Sequence, residues 1–117
     1  MATTLALARD LLFASKISSA AHSLHVPIKI LRDASQLAEQ DGDLLLVDLN
    51  QDGAIDATRQ WLQGSGRHAI GFVSHTDTQT IAAARAAGIT HVLARGRFVQ
   101  LLPQLLCPPP VEQDISE

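Results

Sequence analysis

Polar side chains lie at or just after the ends of several apolar runs of this sequence, and their types suit a site for a cation and a phosphoryl group. Arg9 and Asp10 follow the first run, Asp48 lies near the end of the third, Ser74 ends the fourth, and Arg95 follows the fifth. Carboxylate oxygens are the usual protein ligands of Mg²⁺, and guanidinium groups bind phosphate well. Together at one edge of a sheet, two carboxylates, a hydroxyl and a guanidinium could hold both groups.

The elements that must position these residues are indicated by the apolar runs themselves. Short apolar runs bounded by polar residues or glycine favour buried strands over helices. The unbroken run at residues 44–47 is typical of a parallel strand that is covered on both faces. We therefore predict strands at residues 4–8, 28–31, 44–49, 69–74 and 90–94.

The segments between and after these strands predict helices. Phe13, Ile17 and Leu24 fall on one helical face, Asp10 is placed to cap that helix, and Gly88 is placed to end a later one. The predicted helices cover residues 11–23, a short stretch near 35–40, 55–62, 77–87 and 98–106. Because Pro103 lacks the amide hydrogen that a helix interior uses, we expect the last helix to start later or to kink.

The alternation of strands and helices predicts a three-layer α/β sandwich with a parallel sheet and right-handed crossovers. Ligands of such sheets bind beyond the carboxyl ends of the strands, so we expect Asp10, Asp48, Ser74 and Arg95 at one rim. Residues 1–106 form the single predicted domain. Residues 107–117 combine consecutive prolines with acidic residues and are expected to be an extended tail or the start of a linker.

The composition limits the class of protein. The chain has 117 residues, of which 46% are hydrophobic and 18% charged, which favours one globular domain over disorder or a membrane span. Aromatic residues are only 3%, too few for the stacking surfaces of single-stranded nucleic-acid binders. With 9 basic against 12 acidic residues, we expect neither nucleic acid nor a membrane as a partner. A lone cysteine, Cys107, and an N-terminus without signal-peptide features favour the cytoplasm.

In these residues the chain resembles the receiver domain of bacterial two-component response regulators. The resemblance covers about residues 3–106 and implies a flavodoxin-like strand order, 2-1-3-4-5. It matches Asp48 to the aspartate that accepts a phosphoryl group from a histidine kinase, and Ser74 to the hydroxyl residue that bonds this group. It also matches Asp10 and the backbone carbonyl of Asn50 to Mg²⁺ ligands. Arg95 stands at the position of the family's lysine.

Three positions depart from the family's pattern. Arg9 replaces the first of two adjacent acids, so a cation stands where the family has a Mg²⁺ ligand. Arg95 replaces the lysine and is followed by Gly96 instead of proline, and Val92 replaces the aromatic switch residue. A guanidinium repels a metal ion and stays charged at any ordinary pH. We therefore hypothesise that one or both arginines hold Asp48 in an ion pair without metal.

These departures favour a degenerate receiver, a regulatory protein-interaction module in signal transduction and not an enzyme. No cofactor is expected, and Mg²⁺ binding through Asp10, Asp48 and Asn50 would be weakened. The expected partners are a histidine kinase, an output protein or a second copy, met through the fourth helix, fifth strand and fifth helix. The alternative is a working receiver phosphorylated on Asp48. A flavin- or nucleotide-binding protein of the same fold is disfavoured, because no Gly-rich or hydroxyl-rich phosphate loop follows the first strand.

The five histidines could in principle act as metal ligands or as pH sensors. Their spacing includes no convincing helix pair, and one cysteine cannot complete a zinc site. His75 follows Ser74 at the predicted rim, where it is a candidate pH-sensitive contact with Asp48, although a partly exposed loop residue is the favoured interpretation.

Overall fold

The computed structural model describes residues 3–64, 66–74, 77–89 and 91–106. The predicted tail at 107–117 with Cys107, the candidate contact His75, and Thr90 at the start of the predicted fifth strand lie outside the described residues. Within the described residues, no helix has both the length and the apolar character needed to cross a bilayer.

Strands and helices alternate along the described chain as predicted. The strands are β1 (Thr4–Leu7), β2 (Ile28–Leu31), β3 (Leu44–Asp48), β4 (His68–Val73) and β5 (His91–Ala94). The α-helices are α1 (Leu11–Ser23), α2 (Ala54–Trp61), α3 (Thr78–Ala86) and α4 (Arg95–Leu106), and a 3₁₀ helix covers Ala34–Glu39. Because the second predicted helix is this 3₁₀ helix, the third, fourth and fifth predicted helices are α2, α3 and α4.

The strands form one parallel sheet in the order β2-β1-β3-β4-β5, which confirms the predicted fold. Leu7 of β1 lies opposite Val47 of β3, and Asp48 of β3 lies opposite Phe72 of β4. Strands that run parallel in this register end at the same edge of the sheet. We call this edge, at the carboxyl ends of β1, β3, β4 and β5, the rim.

Both faces of the sheet are covered by hydrophobic cores, as parallel sheets require. On one face, residues of β1 and β3 pack with the 3₁₀ helix and with α2, where Trp61 is buried. On the other face, α1 and α4 pack on the sheet through Phe13 and Phe98, with Phe72 of β4 between them. The Phe13 and Phe72 ring centroids are 4.6 Å apart, and those of Phe72 and Phe98 are 4.5 Å apart. This aromatic cluster holds the first turns of α1 and α4 beside the rim.

The last helix differs from its prediction. It begins at Arg95, directly after β5, and Pro103 lies inside it, so the expectation of a later start was wrong. Phe98, Leu102 and Leu106 are all buried against the sheet. Helices in proteins are stabilised mainly by such packing, which here outweighs the single hydrogen bond that Pro103 removes. The early start brings the Arg95 side chain to the rim.

Candidate functional site

The rim gathers the polar residues that the sequence placed at strand ends. Asp10 lies between β1 and α1, Asp48 is the last residue of β3, Ser74 follows β4, and Arg95 is the first residue of α4. Each is carried by a short connection between a buried strand and the next element, so the sheet fixes their order across the rim. All four residues lie at the carboxyl ends of the parallel strands, but the pairing among their side chains is not the predicted one, and their role as a phosphoryl site stays a prediction.

Arg95 forms an ion pair with Asp10 across the rim. Its Nη2 donates to Asp10 Oδ2 at 2.7 Å, and the two side chains are 34% and 46% exposed. The guanidinium carbon also lies 4.1 Å from the centroid of the Phe13 ring, a cation–π contact. Arg95 thus links the start of α4 to the start of α1 through a charge and a ring.

Asp10 also caps α1. Its Oδ1 accepts hydrogen bonds from the backbone N–H groups of Leu12 at 2.9 Å and Phe13 at 3.2 Å. These amides have no partner within the helix, and the positive end of the helix dipole favours a carboxylate there. The hydrogen bond from Arg95, together with those from the Phe13 and Leu12 amides, holds the pKa of Asp10 below its ordinary value. Both carboxylate oxygens of Asp10 are therefore in use.

Asp48 and Asn50 form a second, separate hydrogen-bonded unit. Asp48 Oδ1 accepts from the backbone N–H of Asn50 at 3.0 Å, and Asn50 Oδ1 accepts from the backbone N–H of Ser74 at 2.7 Å. The Asn50 side chain therefore ties the loop after β3 to the end of β4. The Ser74 side chain is exposed at the same place.

The hypothesis that one or both arginines hold Asp48 in an ion pair was wrong. Among the described residues, Asp48 makes no ion pair, and Arg95 binds Asp10 instead. The reason is geometric: α4 starts at Arg95 itself, and the Phe13 ring beneath the guanidinium directs it toward α1. Arg9 is exposed and makes no side-chain hydrogen bond or ion pair with the described part of the chain.

Two residues of the site were missed by the sequence reasoning. Phe13 was predicted only as a core position of α1, yet its ring also supports Arg95. Asn50 was considered only for its backbone carbonyl, whereas its side chain makes the bond to Ser74. An asparagine in a turn directly after a strand often hydrogen-bonds to backbone groups through its side chain, and this feature of the sequence could have indicated the role of Asn50. The substituted switch position, Val92, is half-buried and packs against the core on the α2 side of the sheet.

The metal implied by the resemblance is Mg²⁺, with Asp10, Asp48 and the Asn50 carbonyl as its ligands. Mg²⁺ requires nearly ideal octahedral coordination by oxygen. Both oxygens of Asp10 already accept hydrogen bonds, because Oδ1 caps α1 and Oδ2 binds Arg95, so a metal ion would compete with Arg95 for this carboxylate. No group of three or more His, Cys, Asp or Glu side chains within the described residues is arranged to hold a metal ion. With Arg95 hydrogen-bonded to Asp10 Oδ2, this carboxylate fits Mg²⁺ poorly.

Comparison with solved structures supports the fold assignment. The chain is similar to a response regulator from Burkholderia pseudomallei with a phosphorylated aspartic acid, a calcium ion and citrate: the TM-score is 0.77 at 12% identity, over 92% of this chain and 68% of that one. It is also similar to the phosphorylated cyanobacterial phytochrome response regulator RcpA, with TM-score 0.77 at 9% identity over 93% and 96% of the two chains.

A CheY-like receiver domain protein from Methanospirillum hungatei JF-1 matches with TM-score 0.74 at 10% identity, over 91% of this chain and 94% of that one. No family model and no curated protein matches the sequence. At these identities the likeness is one of fold. The chain has the five-stranded, CheY-like flavodoxin fold of response-regulator receiver domains.

Proposed function

We propose that the chain is a degenerate receiver, a regulatory module of signal transduction that acts by binding proteins. Its output does not depend on ordinary Mg²⁺-assisted phosphorylation of Asp48. The observation that carries this proposal is the ion pair of Arg95 Nη2 with Asp10 Oδ2 at 2.7 Å, on a carboxylate whose other oxygen caps α1. The receiver fold and the similar response regulators support the signalling role.

The charges at the rim support the same conclusion. Phosphoryl transfer to a carboxylate develops negative charge that a metal ion would neutralise. In this chain the exposed Arg9 is adjacent to Asp10 in sequence, and Arg95 is bonded to one of the oxygens of Asp10. Two fixed positive charges next to one carboxylate lower its affinity for a further cation.

The surface through which such a module docks is proposed to include α3, β5 and α4. Small residues on α3 leave part of this surface flat, since Ala82, Ala83 and Ala86 are exposed. Ala83 and Ala86 also line a groove of about 760 Å³ toward Ile55 and Asp56 of α2, so the flat face is turned partly toward α2 and not only toward the last helix. A protein partner, or a second copy of the chain, would bind there.

A second candidate function is that of a working receiver phosphorylated on Asp48 by a histidine kinase. The observation that favours it is the state of Asp48, which is half-buried, accepts a hydrogen bond from Asn50 and carries no ion pair among the described residues. In this case Asp48 is the nucleophile, Ser74 steadies the phosphoryl group and Arg95 takes the lysine role. Arg95 would first have to leave Asp10.

Beryllofluoride binding in the presence of Mg²⁺ separates the two candidates. The full ¹⁵N-labelled chain is titrated with beryllofluoride and Mg²⁺ while the amide signals of Asp48, Asn50 and Ser74 are followed. The degenerate receiver gives no saturable shift at these amides, because Asp10, bonded to Arg95, would not hold the metal ion that neutralises the charge of the adduct. A saturable shift in the wild-type chain, or stoichiometric labelling of Asp48 by a small-molecule phosphodonor, would establish the working receiver.

A gain-of-function variant tests whether Arg9 and Arg95 cause the expected absence of beryllofluoride-induced shifts. Arg9→Asp together with Arg95→Lys restores the family's acid and lysine, and we expect it to show Mg²⁺-dependent shifts at Asp48. Lys29→Asp is the matched control, since it makes the same charge change at an exposed residue of β2. Shifts in both variants would point to net charge alone and contradict the proposed role of Arg9 and Arg95.

A further inference from the structure

A groove runs along the surface between α1 and α4, on the face of the sheet that carries the aromatic cluster. Its upper part, of about 530 Å³, lies at the rim between Leu12 and Arg95, and its lower part, of about 450 Å³, extends to Pro103. Both parts share Lys16 of α1 and Val99 of α4 as lining residues, so they form one continuous channel. We call this channel the α1/α4 groove.

The α1/α4 groove combines apolar surface with uncompensated positive charge. Leu12 is 79% exposed at its upper end, and Val99, Leu102 and Pro103 line its lower part. Neither α1 nor α4 contains an acidic residue, whereas Lys16 is exposed and makes no ion pair with any residue that the structure describes. The one acid that lines the groove, Asp10, is already paired with Arg95. A ligand for this groove should therefore be apolar and negatively charged.

The chain itself supplies a segment with that chemistry. Residues 107–117 contain no lysine or arginine and carry three acids, Glu112, Asp114 and Glu117. Two apolar side chains, Val111 and Ile115, lie among these acids. The unpaired positive charge of Lys16 in the groove and the negative charge of the segment are therefore complementary.

The length and starting point of this segment allow it to reach the groove. It continues directly from Leu106, the last residue of α4, which itself forms one wall of the groove. The 12 residues of α4 rise about 18 Å from Leu106 back to the rim. Residues 111–117, which follow the prolines, can span up to roughly 23 Å when extended. This exceeds the rise of about 10 Å from Leu106 back to Val99, so they can run back beside Lys16.

We propose that the α1/α4 groove is a docking site for the chain's own C-terminal segment, residues 107–117. Val111 and Ile115 cover the apolar wall of the groove, and the carboxylates of the segment face Lys16. The proposal is independent of the phosphorylation state of Asp48 and of the degenerate-receiver function. Its consequence is that a partner binding at α1 must displace this segment, which therefore competes for the surface next to the rim.

Paramagnetic relaxation enhancement in the full chain tests the proposal. A nitroxide label is attached to Ser116→Cys in a Cys107→Ser background, and amide signals of Lys16, Ser19 and Val99 are measured at low ionic strength. Docking predicts strong broadening of these signals, several-fold greater than in Lys16→Glu, in which the segment is released. The variant Lys29→Glu, an equal charge change at an exposed residue outside the groove, should keep the wild-type broadening.

Three outcomes overturn the proposal. Equal broadening in the Lys16→Glu variant and the wild type shows a segment that is only tethered at Leu106. Equal loss in the Lys16→Glu and Lys29→Glu variants shows a non-specific effect of net charge. Broadening that persists when label and ¹⁵N are on different molecules, at the same protein concentration, shows that a second copy occupies the groove. Replacing all three acids of the segment by glutamine provides an independent check, and it should reduce the broadening as Lys16→Glu does.

Discussion

The ring of Phe13 lies between the core and the candidate site. The energy of its cation–π contact with Arg95 can therefore be measured through protein stability. Its ring contacts Phe72 and Phe98 at centroid distances of 4.6 Å and 5.8 Å, and Arg95 lies above it. Aromatic pairs contribute about 0.5–1.5 kcal/mol each beyond the area they bury. We therefore expect Phe13→Leu to lower the free energy of unfolding by about 2 kcal/mol, which corresponds to a fall of roughly 1 M in the urea midpoint.

A double-mutant cycle isolates the part of this energy that belongs to Arg95. Arg95→Met keeps the length of the side chain and removes its charge, and its coupling with Phe13→Leu should be about 0.7 kcal/mol, as for a partly exposed cation–π pair. Phe72→Leu is the matched control, because Phe72 contacts Phe13 but is not the ring under Arg95. The assay is urea unfolding of all variants followed by circular dichroism. A Phe13/Arg95 coupling no larger than the Phe72/Arg95 coupling would refute the assigned contact.

Three further outcomes are expected. Arg95 and the α1 amides lower the pKa of Asp10 from 3.8, so the ionised Asp10 stabilises the fold above that value, and this effect is lost as the pH falls through the folded pKa. Asp10→Asn should therefore flatten the dependence of the free energy of unfolding on pH below about pH 4. Parallel pH profiles of the variant and the wild type would contradict this. Asp77→Ala removes the α3 cap and should cost about 1 kcal/mol, with faster amide exchange confined to the first turn of α3. Gly71→Ala places a Cβ 2.6 Å from Leu49 Cδ1 and should cost about 1–3 kcal/mol in urea unfolding; an unchanged midpoint would show that Leu49 moves freely.

The strands could be predicted because they are short apolar runs, buried along all or most of their length in β1 and β4, and most helices because their buried residues recur with helical spacing. The predicted span of α1 matches the structure, and the strand bounds differ by at most one residue. The 3₁₀ helix was the least determined element, because only Ala34 and Leu37 of it are buried. It is held instead by Gln36, whose Oε1 accepts from the backbone N–H groups of Arg32 and Asp33. Local hydrogen bonds of this kind leave no periodic signal.

The partner of Arg95 could not be predicted from the sequence. The residues of the site were correctly placed at one rim, since that follows from strand order alone. Which carboxylate receives the guanidinium depends on the residue at which α4 starts and on the ring beneath the side chain. Asp10 and Arg95 are 85 residues apart in sequence, so no local pattern connects them.

The arrangement at the rim shows how a receiver fold could be kept if its phosphoryl chemistry were lost. Asp10 has a structural use that does not involve metal, because it caps α1 and receives Arg95. Arg9 is exposed, so an acid could be replaced there by arginine with little effect on packing. The aromatic cluster, which fixes α1 and α4, lies beneath the rim and is untouched by such a change. The core packing therefore does not involve the residues of the proposed phosphoryl site, although Asp10 serves both as the cap of α1 and as a candidate metal ligand.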